Sequence, residues 1–299
     1  MSNQPYFKRK EMSLFNKFSM TLALACITMQ LGSAQQQWRA YAGSTFYFAE
    51  LNADGQSGVK SVSEPSAGIN LGIAAGLNDN WSIHSGLGIS YIQTGNTVGS
   101  YRDVENTTDQ EGESFEFRYN LTNYEEKQQS VLLSIPVSVQ YETSGNQTRF
   151  YSKLGASANF FVGSKSTGSA NSLVTSGYFE RFNGELTAPR FAGFGTFENI
   201  EFTDKDLEIK PSYNAFVELG VKEQITTGHW LYIGAFVEYG LNDLSDNQGS
   251  SLIQYNQNQP IDFINNSVLN ASNQTTGEPF LGKINLMMIG LRINYDFGI

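Results

Sequence analysis

The stretch Leu286 to Ile299, LMMIGLRINYDFGI, constrains the fold more than any other. From Met287 the odd positions, Met287, Ile289, Leu291, Ile293, Tyr295, Phe297 and Ile299, are apolar. Gly290, Arg292, Asn294 and Asp296 between them are small or polar. Alternation with period two and one apolar face predicts a β-strand. Such a strand at the end of the chain suits the closing strand of a transmembrane barrel, with one face on lipid and the other on a polar interior.

Seven further segments repeat the pattern. They are expected near residues 38–48, 67–77, 81–92, 131–141, 150–162, 215–225 and 231–241. Each of these strands is long enough for a tilted bilayer crossing. Strands two and three, four and five, and six and seven are separated by short turns such as Leu77-Asn78-Asp79-Asn80. The remaining connections, near 49–66, 93–130, 163–212 and 242–285, are long. Short turns at one end and long loops at the other is the asymmetry of an outer-membrane barrel, with both chain ends on the periplasmic side.

Alternation alone leaves open which face points out, because a soluble lipocalin-like barrel alternates too. Glycines favour the membrane reading. Gly43, Gly68, Gly72, Gly76, Gly86, Gly88, Gly155, Gly220, Gly234, Gly240 and Gly290 all fall on the non-apolar face. A water-facing surface gains nothing from so many strand glycines, whereas the inside of a narrow barrel needs small residues. Aromatics near strand ends, Trp38, Trp81, Tyr91, Tyr141, Trp230, Tyr239, Tyr295 and Phe297, are placed for an interfacial girdle. The expected fold is all-β: an eight-stranded antiparallel transmembrane β-barrel with long external loops, in the cell outer membrane.

Residues 1–34 read as a cleaved signal peptide, and residues 35–299 as the barrel domain. Lys8 to Lys17 supply a basic stretch, Phe18 to Leu31 an apolar one, and Gly32-Ser33-Ala34 a small-residue cleavage site. The whole chain carries a net charge of −10. Residues 1–34 hold Lys8, Arg9, Lys10 and Lys17 against Glu11, so the rest stands at −13. That argues against nucleic acid as a partner. Cys26, the single cysteine, lies in the leader, so the barrel domain has no thiolate or disulfide chemistry.

Ser130 to Tyr141, SVLLSIPVSVQY, resembles the middle strand of the PorT-like outer-membrane β-barrel family of Bacteroidetes. The Gly-rich hairpin Gly68 to Tyr91 and the ending Gly290 to Phe297, GLRINYDF, are similar to that family too. The resemblance covers residues 35–299 apart from the loops, and Ile299 departs from the terminal aromatic usual there. It implies an outer-membrane barrel, and for the namesake members a link to a secretion system. It implies no defined activity.

The inward face is expected to hold Arg39, His84, Lys153, Glu218, Lys222, Glu238 and Arg292, with Asp296 near the end. A polar relay or narrow ion path would use such residues. Paired charges filling the interior of a small barrel is the simpler reading, because an unpaired buried charge is costly. His84, with Ser82 and Ser85 nearby, and His229 are the only histidines on which a Ser-His-acid hydrolase could be built. His84 is expected instead to hydrogen-bond inside the lumen. A zinc site would need more His or Cys ligands, and Asn52-Ala53-Asp54-Gly55 reads as a turn rather than a calcium loop. No catalytic, cofactor-binding or metal residue is assigned.

Three loops have distinct characters. The second is acidic, with Asp103, Glu105, Asp109, Glu111, Glu113, Glu116, Glu125 and Glu126, and is expected to be solvated. The third carries Tyr178, Phe179, Phe182, Phe191, Phe194, Phe197 and Phe202. These form either an exposed recognition surface or the packing of a hairpin that extends past the membrane. The fourth, Asp246 to Gly277, is rich in Asn, Gln and Ser and is expected to be mobile or solvated. The functional expectation is a non-enzymatic barrel with a structural or surface-interaction role through its loops. Its partners would be outer-membrane lipid, the barrel-assembly machinery during insertion, and a surface glycan or protein. The alternatives are a narrow solute channel, a component of an envelope secretion complex, a lipid-modifying enzyme and a soluble lipocalin-like carrier.

Overall fold

In the computed structural model, residues 38–55, 58–245 and 249–298 are described. The expected leader, residues 1–34, lies outside them. The strands in chain order are β1 (Trp38–Gly55), β2 (Val59–Gly76), β3 (Trp81–Thr108), β4 (Ser114–Glu142), β5 (Thr148–Phe179), β6 (Gly184–Leu186), β7 (Gly195–Glu201), β8 (Lys205–Asp206), β9 (Ser212–Thr226), β10 (His229–Gly240), β11 (Ile253–Gln254), β12 (Ile264–Asn265) and β13 (Leu281–Gly298).

Eight of these close a ring of antiparallel ladders: β1–β2, β2–β3, β3–β4, β4–β5, β5–β9, β9–β10, β10–β13 and β13–β1. The C-terminal strand does close it, pairing from Arg39↔Gly298 to Phe48↔Ile289 on one side and Trp230↔Asp296 to Tyr239↔Met287 on the other. The short turns are locally encoded. Asn78 Oδ1 accepts from Asn80 N at 3.0 Å and Trp81 N at 2.9 Å, and Gly228 takes φ +82° between β9 and β10.

The outward row is apolar and uncovered: Phe46 and Phe48, Ile69 and Leu71, Leu87 and Ile89, Leu133 and Ile135, Leu154, Leu219, Ile233, Ile289 and Leu291 are all exposed. The inward row holds the polar residues. This is the reverse of a soluble carrier barrel. A continuous apolar belt of this extent belongs in hydrocarbon, since water would not tolerate it on a monomer. Trp38, Trp81, Tyr91, Tyr141, Tyr239, Tyr295 and Phe297 flank the belt on the outside. Trp230 does not. It is buried in the lumen against Tyr151 and Tyr232, because the even positions of β10 point inward.

The long connections depart furthest from expectation. The 49–66 and 93–130 stretches are mostly strand: β1 runs to Gly55, so Asn52–Gly55 is strand rather than turn, and β3 and β4 continue together to Thr108↔Ser114. β5 likewise continues to Phe179, with β6, β7 and β8 added along it. β3, β4, β5 and β7 therefore rise past the apolar belt as one wall. Its ladders all skip a pair at the same level, at Gly99–Asn123, Asn123–Asn171 and Asn171–Asn199. Asn123 and Asn199 have φ 50°, a left-handed conformation that asparagine accepts more readily than most residues. The buried face changes parity there: Tyr124, Glu126 and Gln128 point inward on one side of the kink, and Phe115, Phe117, Tyr119 and Leu121 on the other.

Candidate functional site

Two places concentrate chemistry: the lumen within the belt, and the ledge that the extended wall builds above it.

In the lumen, Glu218 on β9 is fully buried and receives three donors from two strands, β5 and β13. The Tyr151 hydroxyl lies 2.7 Å from Oε1, Lys153 Nζ 3.4 Å from the same oxygen, and Arg292 Nη1 2.6 Å from Oε2. Arg292 reaches it across Gly234, its register partner on β10. A Cβ at Gly234 would stand 2.2 Å from the Tyr151 hydroxyl oxygen, and one at Gly220 2.6 Å from Tyr151 Cζ. The glycines are thus the space into which this tyrosine fits. Gly234→Ala should cost about 1–3 kcal/mol through overpacking, measurable as a lowered urea midpoint for the barrel. An unchanged midpoint would mean Tyr151 is not confined there.

Nearer the periplasmic end, Lys222 Nζ lies 2.5 Å from Glu142 Oε2, and Arg149 Nη1 2.7 Å from Glu142 Oε1. Arg39 sits 3.7 Å from Asp296, whose Oδ2 also accepts from Tyr232 at 3.2 Å. Sequence reasoning missed Glu142 and Arg149. Both flank the turn after the fourth crossing, and only the register puts them on the inward row beside Lys222. Glu238 is held differently: among the described residues no cation pairs with it, and its Oε1 accepts from Ser157 at 2.5 Å, Asn214 at 2.9 Å and Asn159 at 3.0 Å. Among the described residues, Arg292 thus pairs with Glu218 and not with Glu238 on the adjacent strand.

His84 is buried, with Nε2 2.9 Å from Ser82 Oγ. Among the described residues its Nδ1 has no hydrogen-bond partner, and no carboxylate orients the ring. His229 stacks on Tyr295 at the start of β10. The lumen keeps a cavity of about 70 Å³ beside Tyr41, Tyr47, Lys153 and Glu238, and another of about 20 Å³ beside Arg39, Ser82 and Glu142. His84 lines both and stands between them. These spaces are large enough for a few waters.

Above the belt, the described part of the Asn- and Gln-rich fourth connection, residues 249–277, is packed rather than merely solvated. It packs Leu252, Ile253, Phe263, Val268, Leu269 and Ala271 against Phe117, Leu121, Tyr124 and Leu173 of the wall. Three of the acidic residues expected to be solvated, Asp103, Glu105 and Glu126, fasten it. Glu126, fully buried, accepts from Ser267 Oγ at 2.5 Å, Val268 N at 2.9 Å, Gln128 Nε2 at 2.8 Å and Tyr124 OH at 2.9 Å. Asp103 accepts from the Gln274 and Thr275 backbone N–H groups at 2.8 and 3.2 Å, and Glu105 from Tyr255 N at 3.1 Å. Burial pushes the Glu126 and Glu105 carboxyls up from their ordinary values, in spite of these donors.

The aromatics of the third connection divide. Phe179, Phe194, Phe197 and Phe202 are buried in the ledge core, with Phe194 edge-on to Phe115 and Phe197 edge-on to Phe263. Phe182 and Phe191 stay exposed at the outermost part.

A closed antiparallel barrel with an even strand count, an apolar belt, and short turns at the end bearing both described chain ends is the outer-membrane architecture. The protein is an integral outer-membrane β-barrel. No protein-family model matches the chain, and no curated protein matches it in sequence. Among solved structures, the chain is similar to the outer membrane protein OprG from Pseudomonas aeruginosa (11% identity, 89% of this chain and 99% of that one, TM-score 0.37). It is similar to Neisserial surface protein A (12%, 87% and 97%, TM-score 0.32) and to Ail, the attachment invasion locus protein of Yersinia pestis (11%, 87% and 99%, TM-score 0.31). These similarities are low, and it is the molecule's own belt, closure and turn asymmetry that place it in the membrane.

Proposed function

We propose that this barrel is a non-enzymatic display scaffold, whose filled transmembrane part anchors a rigid outer ledge for contact with a partner at the cell surface. The observation that carries the reading is the division of labour along the strands. Within the belt, side chains are spent on mutual pairing across the lumen, and His84 separates two small voids. Beyond the belt, β3, β4, β5 and β7 keep their ladders and acquire a hydrophobic core of their own. Ordering so much chain outside the bilayer costs conformational entropy, which a mere anchor has no reason to meet. The motifs at Ser130–Tyr141 and Gly290–Phe297 favour membership of the PorT-like family of Bacteroidetes, within which a place beside an envelope complex is in keeping with this role.

The test is a photo-crosslinking residue placed at exposed Phe182 in living cells, compared with one at lipid-facing Leu154. Discrete protein or glycan adducts at Phe182, with lipid adducts alone at Leu154, are the expected result. Lipid adducts alone at both positions would overturn the reading.

A further inference from the structure

The wall ends on an unpaired edge. β7 is laddered to β5 on one side, and among the described residues no strand pairs with its other side. Beside that edge lies a groove of about 450 Å³ lined by Arg190, Phe191, Phe197, Glu198, Ile200 and Ile261. Phe191 is 79% exposed and Ile261 60% exposed, although both lie beyond the belt where no bilayer covers them. Exposed apolar groups converging on a groove mark a contact site, whereas scattered ones do not.

The charge beside it is one-sided. Residues 195–208 carry Glu198, Glu201, Asp204, Asp206 and Glu208 against Lys205, whose ammonium is turned to Asn266. None of the five carboxylates forms an ion pair among the described residues. Glu198 accepts from the Ser172 hydroxyl and Asp204 from the Thr167 hydroxyl. Arg190, on the groove wall, lies 4.8 Å over the Phe197 ring. A second copy of the same edge would bring carboxylate against carboxylate, which discourages pairing of two copies. The same charges favour a basic strand.

We propose that the free edge of β7 takes an added strand, an extended basic segment of a partner protein whose alternate apolar side chains fill the groove between Phe191, Phe197, Ile200 and Ile261. This rests on the display reading above and names its contact. Strand addition supplies affinity through backbone hydrogen bonds and selectivity through the side chains that enter the groove. The kink at Asn199 confines regular pairing to Gly195–Glu198 and lets the guest bend with β7 beyond it.

The experiment uses the full protein in zwitterionic nanodiscs and a labelled alternating Lys-Val peptide of about eight residues, a typical strand length. Anisotropy should report binding, and exchange of the Gly195–Glu201 amides should slow about tenfold or more on peptide addition. A copy N-methylated at alternate backbone amides and a Glu-Val twin should each bind at least about tenfold more weakly, a difference of 1.4 kcal/mol. So should Phe191→Ser, which alters an exposed side chain and leaves the ledge folded. No binding, equal binding of the N-methylated copy, indifference to Phe191→Ser, or protection confined to other residues would each overturn the proposal. If β7 stays unprotected while Phe182 still crosslinks in cells, this site fails and the display reading stands. If Phe182 yields lipid adducts alone, the display reading itself fails.

Discussion

Glu218→Leu should destabilise the barrel by about 3–5 kcal/mol, the usual cost of removing one partner from a buried ion cluster. Glu218 neutralises Lys153 and Arg292 and accepts the Tyr151 hydroxyl. Lys153 is almost wholly inside, with no other carboxylate in reach among the described residues. The variant leaves two cations facing each other in a narrow lumen. The readout is the urea midpoint of the mobility change that distinguishes unboiled from boiled samples in detergent. Arg292→Met should cost less, because that side chain retains 18% exposure and Lys153 still pairs with Glu218. Replacing Lys153 and Arg292 by methionine together with Glu218→Leu should restore most of the loss, since apolar groups of similar volume need no partner. If Glu218→Leu unfolds at the parent's midpoint, water reaches the cluster freely and the lumen is not the filled interior described above.

Glu126→Ala should release the fourth connection from the wall without opening the barrel. Four donors converge on this carboxylate, and each buried donor left without a partner costs about 1–3 kcal/mol. Partial rearrangement of Gln128 and Ser267 leaves an expected local loss of about 3 kcal/mol. Amide exchange at Val268 and across residues 249–280 should accelerate by about two powers of ten. The boiled-to-unboiled shift should remain, because Glu126 stands above the apolar belt. The pH dependence has a definite sign. Burial raises the Glu126 carboxyl in the folded ledge above its unfolded value. Stability from this group is therefore highest below the unfolded pKa, declines as pH rises through the window between the two values, and is level above the folded one. Glu126→Gln, which does not titrate, should flatten that decline. Exchange at Val268 that is indifferent to both substitutions would show that the apolar contacts alone hold the segment down.

The difference between the two experiments follows the belt. Within it, lipid fixes the outward row as apolar, so polarity accumulates inside and has to be paired. Above it, water covers the outward row, and the inward row becomes an ordinary mixed core of Phe117, Leu121, Tyr124 and Leu173 with buried polar anchors among them.

That boundary also separates what the residues reveal from what they hide. Every membrane crossing was legible in the sequence, down to the inward placement of Lys153, Glu218, Lys222 and Arg292, because a bilayer enforces strict alternation and a narrow lumen enforces glycine. The wall was not legible. Its outward row is polar like any loop, and its inward row mixes Asn96, Glu126 and Gln128 with apolar residues. The parity slip at Gly99, Asn123, Asn171 and Asn199 then breaks period two where the strands continue unbroken. Asp103 and Glu126 read as solvated because their carboxylate oxygens accept from backbone N–H groups about 140 to 170 positions later in the chain. The alternation of single residues decided the barrel and its orientation to lipid. Which carboxylate meets which cation, and which acid fastens which loop, depends on register between strands and on contacts far apart in the chain, and only the tertiary structure decided those.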